Sequence, residues 1–189
     1  MSRLSLQNKL TMVVRIDEDR VGAVIGPKGS ILKRIEEALN VIIKVRKDKA
    51  EVIIVSERQN IENALRAKMI IEAIANGISS SNAFVIVDNP DYVLEIVNID
   101  EYARNRRDLR RIKSRIIGKG GKIKRLIEDE LDVKISIRQK KVAILGKYMD
   151  VQIAKEAIIS ICKGSKYGRI LRKIEEFKMQ QQFREITEF

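Results

Sequence analysis

Two short segments of the sequence share the pattern Ile-Gly-x-x-Gly, at residues 25–29 and 117–121. Glycine has no Cβ, so a phosphate group can approach the backbone closely, and the N–H groups that begin a following helix attract anions. Lysines within or directly after both segments add positive charge. The residues expected to contact phosphate are Gly26, Pro27, Lys28 and Gly29 in the first segment and Gly118, Lys119, Gly120, Gly121 and Lys122 in the second.

The phosphate is expected to belong to a polymer rather than to a nucleotide such as ATP. The P-loop of nucleotide-binding proteins has the pattern Gly-x-x-x-x-Gly-Lys. Here that pattern would need glycine at position 113 or 116, where Lys113 and Ile116 stand, and the first segment has no Gly-Lys pair. The alternative interpretation is that both segments are ordinary helix caps and turns, in which glycine is common.

Positive charge is concentrated around the second segment. The 189 residues include 38 Lys and Arg and 26 Asp and Glu, a net charge of +12. Residues 104–125 contain eleven basic residues and one acid, Asp108, so this window alone has a net charge of eleven minus one, +10. Four of its arginines recur every three or four residues, which on a helix places them on one face. They are Arg104, Arg107, Arg111 and Arg115.

This arginine face is expected to contact the backbone of a polyanion. Its positive charges repel one another, and attraction to a bound anion offsets that repulsion. The alternative is a solvated helix face.

The composition excludes several kinds of active site. The chain has no histidine and one cysteine, Cys162, which excludes His-dependent triads, Cys/His zinc sites and an intrachain disulfide. The acidic residues mostly occupy helix faces, and no pair of carboxylates recurs in a metal-like arrangement. We therefore expect no catalytic activity, metal or cofactor, and a nuclease or RNA-modifying enzyme is the weakest hypothesis.

The sequence also predicts a soluble cytoplasmic protein. No apolar run approaches the roughly 18 residues of a membrane span. Residues 1–10 lack the apolar centre of a secretory signal. Neither membrane insertion nor secretion is therefore expected.

An internal duplication accounts for the repeated glycine pattern. Aligned without gaps, residues 25–46 and 117–138 are identical at ten of 22 positions. Apolar periodicity predicts the order β-α-α-β-β-α in both copies. The predicted elements are, in the first copy, a strand at 11–16, helices at 19–25 and 30–39, strands at 41–46 and 51–55 and a helix at 58–76. In the second copy they are a strand at 92–98, a helix before Gly118, a helix at 122–131, strands at 133–138 and 141–145 joined by a tight turn, and a helix at 148–163.

These elements predict a first domain at residues 8–78, a second at 83–164 and a C-terminal helical extension at 165–189. Residues 79–82, Ser-Ser-Ser-Asn, read as a short polar link. Between the first strand and the glycine segment, the second copy spends about twenty residues where the first spends about ten, and the extra length carries much of the charge. The extension is expected to dock on the second domain through an apolar face, or to present that face to a partner. Its apolar residues are Ile170, Leu171, Ile174, Phe177 and Ile186.

The order β-α-α-β-β-α, with Ile-Gly-x-x-Gly between two short helices, resembles the type I KH domain over about residues 8–164. The resemblance implies an α+β fold in which each of two modules packs a three-stranded antiparallel sheet on three helices. KH modules clamp roughly four nucleotides of single-stranded RNA at this loop. The duplicated module, the enlarged basic helix and a Gly-Ser-Lys-Tyr-Gly segment before a C-terminal helix resemble archaeal members of the "partner of Nob" family of ribosome assembly factors.

That resemblance implies binding to small-subunit ribosomal RNA near its 3′ end, with a Nob-type endonuclease and the alpha subunit of initiation factor two as partners. The alternative is a protein-interaction scaffold for assembly or translation factors, in which RNA binding is secondary. Arg46 and Arg138 are identical in the two copies and alternate with core positions of a strand. They are expected either to contact bases or to pair with acids of the preceding helix.

Overall fold

The protein is described by a computed structural model that covers residues 9–187, apart from the side chains of Gln182 and residues 184–187. It forms two compact units that divide between Pro90 and Asp91. The first contains β1 (Lys9–Arg15), α1 (Val21–Ile25), α2 (Ser30–Leu39), β2 (Ile42–Arg46), β3 (Glu51–Glu57), α3 (Ile61–Ala75), α4 (Ser80–Ala83) and α5 (Val85–Asp88). The second contains β4 (Tyr92–Asn98), α6 (Arg106–Ile117), α7 (Lys122–Leu131), β5 (Lys134–Arg138), β6 (Lys141–Lys147), α8 (Tyr148–Cys162) and α9 (Tyr167–Thr187).

Each unit contains one three-stranded antiparallel sheet with the same strand order. The orders are β1-β3-β2 and β4-β6-β5, so the strand that follows the glycine loop lies at the edge. In the second unit, Arg138 lies opposite Lys141 across the tight turn that the sequence predicts. The α+β fold with two β-α-α-β-β-α modules is therefore confirmed. Within residues 9–187, no helix combines the length and apolarity needed to cross a bilayer.

Isoleucine supplies most of the core of the second unit. Ile112 and Ile116 from α6, Ile127 from α7 and Ile158 from α8 are completely buried. Cys162 lies in the same cluster with 4% of its surface exposed, and burial raises the pKa of its thiol to about 11. The thiol is therefore neutral at physiological pH, which confirms that Cys162 is a packing residue.

The helix after each glycine loop is fastened to the edge strand by one glutamate. Oε1 of Glu36 accepts a hydrogen bond from the backbone N–H of Ile43 at 2.7 Å. Oε1 of Glu128 accepts the corresponding bond from Ile135 at 2.8 Å, and Lys124 donates to its other oxygen at 2.7 Å. A carboxylate that accepts from a backbone N–H forms a strong hydrogen bond, so both modules hold helix and edge strand together in the same way.

The polar segment 79–82 is not the simple link that the sequence predicts. Ser79 caps α4, and its Oγ accepts a hydrogen bond from the backbone N–H of Asn82 at 3.2 Å. Ala83 and Ile86 are buried, and α4 and α5 pack against α3. The prediction of a link was wrong here because a serine cap followed by buried apolar residues favours a helix.

The domain bounds predicted from the sequence stay a prediction, since compact packing does not measure independent folding. Their first residue, Asn8, and residues 188–189 lie outside the described part of the chain, as does the side chain of Ile186.

The first half of α9 docks on the second unit. Ile170 and Ile174 are buried in its core, with 4% and 1% of their surfaces exposed. Lys178 pairs with Glu130 of α7 at 2.7 Å, and Lys173 pairs with Glu156 of α8. This confirms that the extension packs on its own second module, whereas Met179, one residue beyond Lys178, is 63% exposed.

Replacing Glu128 with alanine is expected to lower the free energy of unfolding by about 1.5–3 kcal/mol, because the Ile135 N–H at the edge strand loses its charged acceptor. Glu128→Gln should lose less, since its amide oxygen can still accept. Urea denaturation followed by circular dichroism measures both. Asp129→Ala, which changes the exposed neighbour, should lie within about 0.5 kcal/mol of the wild type. An equal loss in Glu128→Ala and Asp129→Ala would contradict the fastening role.

Candidate nucleic-acid interface

The two glycine loops have the same backbone geometry. Gly26 and Gly118 have φ/ψ of 75°/173° and 74°/172°, and Gly29 and Gly121 both have 78°/11°. All four φ values lie in the region that favours glycine. Each loop therefore turns the chain sharply from one helix into the next and leaves the start of the second helix open at the surface.

The first glycine of each loop is required by packing as well as by its dihedral angles. A Cβ on Gly26 would lie 2.6 Å from Cγ1 of Ile31, and a Cβ on Gly118 would lie 2.5 Å from Cγ1 of Ile123. No real side chain fits at such distances. The loop backbone therefore packs directly on the helix that follows it, which fixes the position of the loop in both modules.

The charges that the two loops carry stand at different positions. Lys28 occupies the third loop position with φ of 51°, where the second loop has Gly120 with φ of 59°. A non-glycine residue in the left-handed region costs roughly 1–2 kcal/mol. Lys119 occupies the second position, where the first loop has Pro27. Each loop thus presents one exposed lysine, and Lys122 adds another at the start of α7.

Arg125 of α7 contacts the second loop, although the sequence predicts no role for it beyond its charge. Its Nη2 donates a hydrogen bond to the carbonyl oxygen of Gly120. Its Nε lies 3.7 Å from the position that a Cβ on Gly121 would occupy. Lys33 stands at the equivalent position of the first module and pairs with Glu37 at 3.8 Å instead. The hydrogen bond spans five residues, from Gly120 to Arg125, so no helix or strand periodicity of the sequence reveals it.

Three of the four predicted stripe arginines come together, although one of them is not on the helix. Arg104 precedes α6, which begins at Arg106 after the cap Asn105. The prediction of a single helix face was wrong at this position because the side chain of Asn105 accepts from the N–H of Asp108 and starts the helix there. Arg104, Arg107 and Arg111 still line one cleft.

The fourth stripe arginine, Arg115, is held by the protein itself. Its guanidinium donates to the carbonyl oxygens of Ile161 at 3.0 Å and Ser165 at 2.6 Å, at the C-terminal end of α8. Tyr167 donates from its hydroxyl to the carbonyl oxygen of Arg115 at 2.9 Å. A cation at the end of a helix is favoured by the helix dipole, so Arg115 joins α6, α8 and α9.

The first unit contains a similar contact made from another position. Nη2 of Arg20 donates to the carbonyl oxygen of Ile74, near the C-terminal end of α3, at 2.6 Å. Arg20 lies before α1, whereas Arg115 lies in the last turn of α6. An arginine thus binds the end of the closing helix in both units, although the two arginines are not aligned in the sequence.

Asp108 is the single acid of the charged window, and it is used within the protein. It accepts from the backbone N–H of Arg104 at 3.1 Å and from Nε of Arg111 at 2.7 Å. These two donors hold the pKa of the Asp108 carboxyl below its usual value. Asp108 therefore stays ionised and orients Arg111 beside the cleft.

Arg46 and Arg138 have different surroundings in spite of their equivalent positions. Arg46 lies opposite Glu51 in the sheet and pairs with it at 3.7 Å. Arg138 lies opposite Lys141. Pairing of Arg46 with acids of the preceding helix, one of the two predicted alternatives, was wrong, because its acidic partner is Glu51 of the neighbouring strand. Contact of either arginine with a base stays a prediction.

Among the residues that the structure describes, no three or more Cys, Asp or Glu side chains form a group that could hold a metal ion. The features that gather at the surface are the two glycine loops and the basic residues around the second.

Two family models match the chain. The model described as a KH domain matches residues 11–69. The model described as a eukaryotic-type KH domain, KH-domain type I, matches residues 93–179. Each match lies within one compact unit and includes one glycine loop.

Similar proteins come from both archaea and eukaryotes. A KH domain-containing protein of Methanocaldococcus jannaschii is 35% identical over 170 residues, which cover 89% of this chain and 74% of that protein. The pre-rRNA-processing protein pno1 of Schizosaccharomyces pombe is 31% identical over 101 residues, which cover 53% of this chain and 42% of that protein. The chain thus matches less than half the length of this eukaryotic relative.

Solved archaeal structures have the same fold over most of the chain. Dim2p of Pyrococcus horikoshii OT3 is 32% identical, with a TM-score of 0.81 over 88% of this chain and 99% of that one. A chain from the complex of a/eIF2alpha, aDim2p and rRNA of the same organism is 32% identical, with a TM-score of 0.83 over 91% and 96%. The chain therefore belongs to the family of tandem KH proteins that includes archaeal Dim2p and the eukaryotic pno1 proteins.

Proposed function

We propose that this protein is a non-catalytic RNA-binding protein that binds single-stranded small-subunit ribosomal RNA during ribosome assembly. The observation that carries the proposal is the pair of Ile-Gly-x-x-Gly loops with one backbone geometry, each at the junction of two helices of a KH module. The relatives support it, since an archaeal Dim2p is part of a complex with rRNA and pno1 is a pre-rRNA-processing protein.

The second loop is the stronger phosphate site. A phosphodiester can approach Gly120 and Gly121, where no Cβ intervenes, and meet the N–H groups that begin α7. Lys119, Lys122 and Arg125 add three positive charges around the same loop. We therefore assign the higher affinity for RNA to the second module. Binding near the 3′ end of the rRNA is part of this proposal and is supported by the family resemblance.

A second function, as a scaffold for protein factors, is favoured by one observation. The complex from Pyrococcus horikoshii contains a/eIF2alpha together with aDim2p and rRNA. We include the alpha subunit of initiation factor two among the proposed partners on that ground, and a Nob-type endonuclease on the ground of the family resemblance. Met179, just beyond the docked part of α9, is largely exposed and supports a contact with a protein partner at this helix.

Replacing Gly120 and Gly121 with aspartate is expected to weaken binding to single-stranded RNA at least tenfold, because two carboxylates would stand where the phosphates approach. The fold should survive, since neither Cβ would clash and aspartate tolerates a left-handed φ at a cost of about 1 kcal/mol. Fluorescence anisotropy with labelled rRNA fragments measures the affinity, and thermal melting checks the fold.

Two matched variants make this test specific. K166Q/R172Q removes the same amount of charge from exposed positions outside the loops and should retain most of the affinity. K28G/G29D, in the first loop, also changes the net charge by two units and should weaken binding less than the second-loop variant. Unchanged affinity in the folded Gly120→Asp, Gly121→Asp protein would refute the assignment of the site.

Substitutions of Arg107 and Arg115 are expected to have different effects, one on RNA affinity and the other on the stability of the fold. Arg107→Gln should lower RNA affinity. It should also reduce the slope of the logarithm of the binding constant against the logarithm of salt concentration by about one, the value for one lost phosphate contact. Arg115→Gln should instead lower the free energy of unfolding by about 1.5–3 kcal/mol, since two carbonyls lose a charged donor. Salt titrations and urea denaturation distinguish the two, and the reverse pattern would contradict these roles.

The scaffold function predicts capture of the alpha subunit of initiation factor two after treatment with RNase. Truncation after Lys178 should abolish that capture and leave RNA affinity unchanged, because the docked residues Ile170 and Ile174 remain. A pull-down with purified proteins measures this. Capture that disappears with RNase in the full-length protein would show that RNA alone bridges the two.

A further inference from the structure

A cleft of about 810 Å³ lies beside the N-terminal half of α6, away from the glycine loop. It lies between the segment before the helix, the first turns of α6 and the C-terminal end of α8. Arg107 in the cleft and Gly118 in the loop are eleven residues apart, about 17 Å along a helix. The charged and aromatic side chains of its lining are those of Tyr102, Arg104, Arg107, Asp108, Arg111 and Lys163.

One wall of the cleft is formed by the part of the second unit that has no counterpart in the first, and the other by the end of α8. α6 has 12 residues and α1 has five, although each follows a short helical turn, at Ile99–Tyr102 and at Glu18–Arg20. The sheets, the glycine loops and the closing helices of the two units correspond. The first unit forms the same KH module with the short helix α1. Folding of the module therefore does not require the additional residues of α6.

The charges in the cleft are only partly compensated. Four basic side chains line it, and the one acid, Asp108, is bound to Arg111 by two contacts at 2.7 Å. Arg104 lies close enough to Asp108 to interact with its charge, whereas Arg107 and Lys163 have no acidic partner among residues 9–187 whose side chains are described. One carboxylate thus faces four cations around the cleft, and an anion in the cleft would relieve the repulsion among them.

The start of α6 is occupied by the protein's own groups, so side chains would have to bind the anion. Oδ1 of Asn105 accepts from the N–H of Asp108 at 2.9 Å, and Asp108 accepts from the N–H of Arg104. Arg111 donates to Asp108, whereas the side chains of Arg104, Arg107 and Lys163 have no side-chain hydrogen bond among the described residues. The guanidinium groups of Arg104 and Arg107 suit a phosphate, which a guanidinium can bind through two parallel hydrogen bonds.

The size of the cleft and its aromatic residue indicate more than an inorganic anion. The volume lies within the roughly 300–1,000 Å³ that small-molecule sites have, well above the size of one phosphate. Tyr102 is half-buried, packs partly against the core of the second unit and is the aromatic residue of the lining. Aromatic rings and guanidinium planes are the groups on which bases of single-stranded RNA stack.

We propose that this cleft binds one additional nucleotide of the RNA strand that the second loop holds. Arg104, Arg107 and Lys163 bind its phosphate, and the ring of Tyr102 supports its base. The inference rests on the proposed RNA binding and extends it. A KH module clamps roughly four nucleotides at its loop, and the cleft would bind a nucleotide outside those four. The length of α6 then sets the distance between two RNA contacts on one strand, one at the glycine loop and one in the cleft.

The test compares a short and a long RNA. Labelled single-stranded RNAs of about five and about twelve nucleotides are titrated into the full-length protein at one salt concentration, because only the longer one reaches both sites. R104Q/K163Q should weaken binding of the long RNA about tenfold and change that of the short RNA less than about twofold. K166Q/R172Q, with the same change of charge, should affect neither selectively. Thermal melting should be unchanged, since both cleft side chains are exposed.

Each alternative gives a different result. Equal weakening of both RNAs in R104Q/K163Q would show general electrostatic attraction and overturn the proposal, as would no weakening of the long RNA. Gly120→Asp with Gly121→Asp should weaken both RNAs. If the wild-type protein binds neither RNA, the proposed function itself fails, and this outcome is distinct from failure of the cleft.

Two further variants test the base contact and the nature of the ligand. Tyr102→Phe should keep the additional affinity for the long RNA, and Tyr102→Leu should lose it, because only the aromatic ring stacks. Equal affinity in both would overturn the role of Tyr102. Oligoglutamate serves as an anionic peptide. Binding of oligoglutamate as tight as that of the long RNA, and lost in R104Q/K163Q, would assign the cleft to a protein partner instead.

Discussion

A sharp turn between two helices is the constraint on which both modules depend. Within four residues the chain must leave one helix and begin another, which requires left-handed φ values at three of the four positions. The first of these residues must also lack a Cβ, since it packs against Ile31 or Ile123 of the next helix. Because the turn is fixed by packing, the second helix begins at a defined place with its N–H groups at the surface. The glutamate of that helix then holds the edge strand beside it.

The two modules share this frame and differ in what surrounds it. In the first, α1 is short and the loop carries one lysine, held in a left-handed conformation that glycine would adopt at lower cost. In the second, Gly120 takes that conformation, and Arg125 donates to its carbonyl oxygen. The additional turns of α6 bring arginines to the surface of the same unit, at the end of the helix away from this loop. Duplication thus supplied two equivalent turns, and insertion before the second gave one of them a larger basic surface.

The arginines of α6 show how position in the fold assigns different roles to one residue type. Arg115 binds the C-terminal carbonyls of α8 and thereby holds the helix that closes the core. Arg111 is paired with Asp108, whereas Arg107, one turn earlier, is exposed and has no such pairing within the described residues. Only a side chain such as that of Arg107 has its full hydrogen-bonding capacity available for a ligand. A count of positive charges therefore overstates the RNA-binding surface unless internal acceptors are considered.

The sequence by itself determined the module, its duplication and the place of both loops. Ile-Gly-x-x-Gly leaves few backbone conformations, and the alternation of apolar residues sets which face of each strand is buried; helices 30–39 and 122–131 were predicted to the residue for this reason. Only the tertiary structure decided what Arg115, Arg46 and Arg125 contact, because their partners lie on other elements or on loop carbonyls that no periodicity reveals. It also decided that Ser79 begins a helix, since that depends on Ala83 and Ile86 finding a core. Local backbone constraints can be read from neighbouring residues, whereas the partner of a long charged side chain is chosen by whatever the fold brings within reach.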